Sequence, residues 1–476
     1  MKRNTINYFT PLLITGVAFL LITCSSFMTI KGQFKGVNEK LAQRDFEGAA
    51  AQIEKTKKNL YQEKDQVMYY LDVGMLYHYM GNYEQSNEFL TKAEQAIEQY
   101  YTISISKAGL SLLLNDNATD YAGEDYEDIY INVFKALNYI GLGKKESAFV
   151  EIRRIDNKLK LLELKYKNLA KEYNKSEDAQ LEIKTGTNNF YNSALARYLS
   201  MLLYRSENSW SDARIDRDKV YEAFNREANI YPFEKPNLDT AASPSKKARV
   251  NILGFAGRNP DKIGLTLRFK SDRDRLVLIE TKETQQNRER LQGYASLYWK
   301  NISPDMYIKM EFPLMENTKS NISGIRVILT GKETKQLDMA MIESMEEVAK
   351  ATFEVKAPMI YMKTIIRSIV KGVAAAAAKK KIREDNAKKS TNDKLLGGLL
   401  SLATDLAVEI SENADLRIAH FFPGRAYIGE FEVDPGTYSV AVEYLSKSGG
   451  VIFRDDRGEV EVTNSGLNLI ESFCLE

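Results

Sequence analysis

Between Pro11 and Pro232 the chain has no proline, whereas the stretch from Pro232 onward contains nine. So long a run without the residue that most reliably stops a helix predicts helical structure from Leu12 to Tyr231. Tyr231-Pro232-Phe233-Glu234-Lys235-Pro236 and Ala241-Ala242-Ser243-Pro244-Ser245 then read as a linker over 232–248. Tyrosine follows the same division: 20 of the 27 lie at or before Tyr231, as expected if aromatic rings pack between helices. At 476 residues the chain is too long for one small core. Its 44% hydrophobic and 28% charged residues exclude both global disorder and a multi-span membrane protein. With 66 basic and 65 acidic side chains it has no overall pull toward nucleic acid, so no nucleic-acid partner is expected.

Lys2 and Arg3 precede an uncharged stretch, Pro11 to Ile22, laid out as a secretory signal. Leu21-Ile22-Thr23-Cys24-Ser25-Ser26 resembles the lipobox of bacterial lipoproteins, which implies cleavage after residue 23 and acylation of Cys24. The alternative is an uncleaved single-span anchor, since about 16 apolar residues is short for a bilayer but not prohibitive. Either way the rest is tethered to a membrane. Removing residues 1–23 leaves 453 residues with a net charge of −1. By resemblance, Ser25 where inner-membrane retention usually has Asp points to an outer-membrane address facing the periplasm.

Within 24–231 a local pattern recurs. Val73-Gly74-Met75-Leu76-Tyr77, Met80-Gly81-Asn82-Tyr83 and the later Ser86, Leu90 and Ala93 resemble a tetratricopeptide repeat starting near Val67. Small residues at Gly74 and Ser86 would let two antiparallel helices approach, and Gly81-Asn82 would turn the chain. Further copies start near Ile129 and Ala194. An earlier one near Ile30 keeps only Phe46, Ala49 and Ile53. The starts are 37, 62 and 65 residues apart, so extra helical length must intervene. Ile152, Ile155, Leu159, Leu162, Tyr166, Leu169 and Tyr173 form the seam of one long helix, read as the core face of a bundle rather than an intermolecular coiled coil.

From Arg249 the period becomes two. Leu265, Leu267 and Phe269, the run Leu276–Ile279, Ile308, Met310 and Phe312, and Ile325, Val327 and Leu329 predict strands. Tyr427 to Val433, turning at Asp434-Pro435-Gly436 into Tyr438 to Tyr444, predicts a hairpin, with Val451–Phe453 and Val460–Val462 continuing the sheet. Two helical stretches are expected inside this region: Met339 to about Glu384, broken at Pro358, and Lys394 to about Asn413. The basic run around Lys379-Lys380-Lys381 and Arg383 suits a helix C-terminus or a surface for anionic lipid or glycan. The expected fold is therefore α+β and multidomain: a signal over 1–23, a tetratricopeptide-like helical superhelix over 24–231, the linker, and a β-sandwich-like domain over 249–476 with a helical insertion over 339–413.

Chemistry is not evident. There is no Gly-x-Ser-x-Gly, Gly-x-x-x-x-Gly-Lys-Ser/Thr, His-Glu-x-x-His or Cys-x-x-Cys. His78 and His420 have no Asp, Cys or second His beside them in sequence, and Cys474 reads as a small buried hydrophobe. No enzyme, cofactor, metal site or catalytic residue is expected.

The order of lipobox, irregular tetratricopeptide-like helices and a region with Ala414-Asp415-Leu416-Arg417, Phe422-Pro423-Gly424-Arg425 and Pro435-Gly436 resembles an uncharacterised family of bacterial tetratricopeptide lipoproteins. The family's Trp before the Pro is replaced here by Ala419. The resemblance implies an envelope scaffold for protein-protein interaction, tethered through its lipid and accessory to peptidoglycan assembly. Carried over from the repeat pattern, Met68, Met75, His78, Tyr79, Tyr130, Tyr198 and Arg205 would line a concave groove for other cell-envelope proteins. The alternative is an oligomeric assembly or pore component whose residues 339–411 contact membrane.

Overall fold

A computed structural model describes residues 34–106, 115–175, 182–281, 296–300, 302, 306–387 and 410–476. The signal, Cys24 and most of the expected helix 394–413 lie outside these residues. The chain is α+β, with helices through its first half and largely antiparallel sheets through its second. It divides into two compact units, Met1–Gln62 and Glu63–Glu476, and the proline-marked segment 232–248 lies inside the second.

The first unit contains a helix pair, α1 (Lys35–Ala42) and α2 (Phe46–Leu60). Val37, Leu41, Ala49 and Ile53 are buried in it. Asp45 caps α2 by accepting from Gly48 N at 2.8 Å, and Phe34 meets Tyr61 edge to face at 5.7 Å.

The second unit opens with three helix pairs: α3 (Gln66–Tyr79) with α4 (Tyr83–Ser106), α5 (Asp125–Gly141) with α6 (Lys145–Tyr173), and α7 (Ala194–Ser206) with α8 (Trp210–Arg226). Each pair closes on the same turn. Asn82 N donates to Tyr77 O, Lys144 N to Tyr139 O and Ser209 N to Tyr204 O, at 2.8–3.0 Å. One residue earlier, Gly81, Gly143 and Asn208 sit at φ between 60° and 73° and donate to the carbonyl three residues back. This double bond ends a helix through a left-handed residue, the conformation that Gly and Asn adopt most readily. Arg44 repeats the geometry inside the first unit at φ 58°. The turns at 44, 81, 143 and 208 keep the 37, 62 and 65 spacing read from the sequence.

Three sheets follow. In the first, the order is β13 (Asn468–Cys474), β1 (Ala248–Arg258), β10 (Pro423–Val433), β8 (Ala340–Ser344). In the second it is β12 (Val451–Val462), β11 (Gly436–Ser446), β6 (Ile322–Thr330), β7 (Thr334–Asp338). These two form a sandwich whose core holds Val250, Ile252, Val327, Phe431, Val442 and Tyr444. Cys474 is buried in the same core. Gly254 permits the close approach: a Cβ there would stand 2.8 Å from Ile325 Cδ1. The first sheet is covered on its other face too. Alternation along β1 sends Val250 and Ile252 into the sandwich, while Asn251 and Phe255 meet Tyr198 and Phe134 of the helices.

The third sheet runs β4 (Ser296–Tyr298), β3 (Arg275–Thr281), β2 (Asp261–Asp272), β5 (Tyr307–Glu316), β9 (Ile410–Glu412). It packs on the far half of the α6 seam, through Leu162, Tyr166, Leu169 and Tyr173, and on α9 (Met345–Ala387), through Val355, Met359, Ile366 and Ile369.

Four expectations need correction. The Asp434-Pro435-Gly436 turn makes no hairpin, since β10 pairs with β1 and β8 while β11 pairs with β12 and β6. It carries the chain from one layer of the sandwich to the other. The helix expected from Met339 starts at Met345, because residues 340–344 pair with β10 as β8. Pro358 does not break α9. Proline cannot bond the carbonyl four residues back, and here the backbone of Gly186 lies against that turn, donating to Val355 O at 2.9 Å; a Cβ on Gly186 would fall 2.2 Å from Glu354 O. Finally, residues 410–412, expected at the end of the 394–413 helix, are strand β9, parallel to β5.

Candidate functional site: the two faces of the helical layer

All seven residues expected to line a groove are buried, and five of them, His78, Tyr79, Tyr130, Tyr198 and Arg205, contact the strands or the segment between β9 and β10. The face these five mark is occupied by the chain itself. His78 Nδ1 is 2.7 Å from Asn138 Oδ1, and its Nε2 is 3.3 Å from Glu471 of β13. Tyr79 donates to Phe421 O at 2.7 Å, and Tyr130 to Glu343 at 2.6 Å. Tyr198 accepts from Asn251 at 3.2 Å. Arg205 donates to Glu430 at 2.6 Å, Asn251 at 2.5 Å and Ala241 O at 2.9 Å. Met68 and Met75 are 5% and 0% exposed. As a surface for another protein the inner face is closed: the sheet of β13, β1, β10 and β8 covers it.

The segment between β9 and β10 is fastened hardest. Arg417 donates to Asp65, to Thr119 O and to Asp116 O at 2.8–3.1 Å while paired with Asp415 at 2.7 Å. Burial opposes its charge, but the bonds from Asp415 and Asp65 outweigh that and hold the guanidinium protonated. Ala419 N donates to Glu127 at 2.7 Å, and His420 meets Asp72 through both its backbone N, at 2.6 Å, and its ring Nδ1, at 2.8 Å. Asn259 of the β1–β2 corner donates to Ala419 O at 2.8 Å. The Ala414–Arg417 run that carried the resemblance is therefore a clamp joining strands to helices.

Two carboxylates here have no cation among their hydrogen-bond donors. Glu127 accepts from Tyr121, Glu124 N and Ala419 N, and burial, reinforced by Glu124, pushes its carboxyl up to about 7. Glu343 of β8 accepts from Tyr130, Ser193, Leu195 N and Tyr231. Burial raises it above the usual carboxylate range although these donors favour its charge.

The outer face is different. Between α4 and α6, over a floor from α5, lies an open groove of about 850 Å³. Its walls are tied by charge: Glu94 bonds Lys135, Arg154 and Lys158 at 2.9–3.0 Å, and Lys158 also bonds Asp128 at 2.7 Å. Burial works against ionising Glu94, yet Lys158 and Lys135 lower it to about 2. Leu161 and Leu164 stand 56% and 51% exposed in the lining. The seam reading missed them because they lie off the buried positions of α6; their excess over what that seam requires was the available signal.

Among the described residues no group of three or more His, Cys, Asp or Glu side chains is placed to hold a metal ion. Among the same residues no helix is long and apolar enough to cross a membrane. No known protein family, curated protein or solved structure matches the chain.

Proposed function

We propose that the chain is a membrane-tethered cell-envelope scaffold that binds other envelope proteins through the outer groove of its helical layer, in the service of peptidoglycan assembly. The observation carrying this reading is the groove itself, whose ion-paired walls are fixed while Leu161 and Leu164 remain open beside it. The recurring left-handed turn between paired helices supports kinship with tetratricopeptide lipoproteins, and the sequence around Cys24 supports a lipid anchor in the outer membrane, facing the periplasm. Because the inner face holds the chain's own sheet, the groove-binding role moves from that face to the outer one. The pore alternative is not adopted, since Val355, Met359, Ile366 and Ile369 of α9 pack against the third sheet; residues 388–409 lie outside the described ones.

A photo-crosslinking residue at Leu161 or Leu164 in living cells is expected to give a discrete adduct with an envelope protein, and one at Met75 none. Adducts at Met75, or none at the leucines, overturn the assignment of the face. The tether is tested separately: Cys24→Ser should leave the acylated membrane fraction.

A further inference from the structure

At the opposite end of the helical layer from the charged groove, the α7–α8 turn, the start of β1 and the β12–β13 loop enclose a cavity of about 240 Å³. Its lining includes Arg205, Lys247 and Arg249 but no carboxylate, in a chain whose acidic and basic residues are otherwise nearly equal in number. Glu430 and Glu432 bond the two arginines from behind, so they offset two of the three charges and leave one. That remaining charge is Lys247, which is exposed and makes no ion pair among the described residues. The arginines are also held in place, Arg205 by Ala241 O and Arg249 by Ala241 O and Thr240 O.

The rest of the lining is suited to a hydroxylated ring. Trp210, half-buried at the first turn of α8, offers an indole, and Asn208 and Asn464 offer amides from opposite walls. The far wall is built rather than loose: Asn468 accepts from Thr463 N and donates to Thr463 O and Arg249 O, pinning the β12–β13 loop to β1. Aromatic faces and amides recognise sugars because a pyranose has an apolar face and a rim of hydroxyls, and a net positive lining selects those that carry a carboxylate.

We propose that this cavity binds a small acidic sugar, with its carboxylate toward Lys247 and its ring against Trp210. The proposal is independent of the scaffold reading, since no residue of the outer groove takes part.

Full-length protein in detergent is titrated with glucuronate, glucose and acetate by calorimetry. Trp210 fluorescence is followed in parallel in a Trp299→Phe background, which leaves one indole. Glucuronate is expected to bind saturably with a dissociation constant on the order of millimolar, with glucose and acetate each at least about tenfold weaker. Lys247→Glu should weaken glucuronate by about tenfold or more, because it reverses the uncompensated charge, whereas Lys246→Glu should not. Lys247 and Lys246 are both exposed, so both variants are expected to fold and their difference reads the cavity. Equal binding of glucose, equal binding of acetate, absence of any saturable signal, or wild-type affinity in Lys247→Glu would each overturn the proposal.

Discussion

The helical layer buries carboxylates on both of its sides, and Glu94 on one is stabilised differently from Glu127 and Glu343 on the other. On the outer side Glu94 is surrounded by three cations and stays ionised to about pH 2. On the inner side Glu127 and Glu343 are met by hydroxyl and amide donors, and burial raises both. Ion pairs fix a surface that remains in water, where lysine and arginine can pair without being wholly desolvated. Glu127 and Glu343 rely on neutral donors where burial is complete, while elsewhere on the same side Arg205 with Glu430 and Arg417 with Asp65 and Asp415 pair as buried ions. The inner side is covered by the first sheet, whereas Leu161 and Leu164 of the outer side remain exposed.

The largest test of this contrast is the clamp. Arg417→Ala leaves Asp65 and Asp415 facing one another without their cation, and should lower unfolding stability by roughly 3–5 kcal/mol in urea titration. A loss below about 1 kcal/mol would mean that the segment between β9 and β10 merely lies on the helices.

Next is the pH dependence of the inner side. Glu127 is raised from 4.5 to about 7, so the folded chain binds this proton more tightly than the unfolded chain does. Its contribution is most favourable below pH 4.5 and is lost as pH rises through about 7, by roughly 3 kcal/mol in all. Stability of wild type relative to Glu127→Gln should therefore fall between those limits. A flat difference would mean that the carboxyl is ionised throughout.

The outer side should show the reverse slope and a smaller effect. Glu94 is lowered to about 2, so its contribution is present above pH 4.5 and disappears as pH falls through about 2. Glu94→Gln should cost about 1–2 kcal/mol at neutral pH, an amount that shrinks in high salt, because Arg154 is exposed and only Lys135 is deeply buried. If the cost is unchanged by salt, the groove is drier than its geometry implies.

The sequence revealed what depends on neighbours along the chain. The Gly81-Asn82 turn was legible because a helix that ends through a left-handed residue favours glycine there, and Arg44, Gly143 and Asn208 occupy the same place in the other three turns. The α6 seam and the strands were legible from their periods: the seam residues, Ile308, Met310 and Phe312, and Ile325, Val327 and Leu329 are buried, while Leu265, Leu267 and Phe269 are only partly so. Met68, Met75, His78, Tyr79, Tyr130, Tyr198 and Arg205 were expected to line a groove for another protein, and all seven are instead buried within the chain. What buries them was not legible. Tyr79 bonds a residue 342 positions later, and Arg417 bonds one 352 positions earlier, separations at which no local pattern is informative. The hairpin was misread for a related reason. An alternating strand, a Pro-Gly turn and a second alternating strand look the same whether they pair with each other or pass between layers, and only β1 and β6 decide it.

The parallel pairing of β1 with β13 constrains the order of assembly. Val250 is aligned with Asn468, so a strand laid down midway through synthesis waits for a neighbour made much later. Until it arrives, His78 and Tyr79 lack the Phe473 ring that lies against them. A nascent chain thus leaves that part of the helical layer bare until β13 has been made.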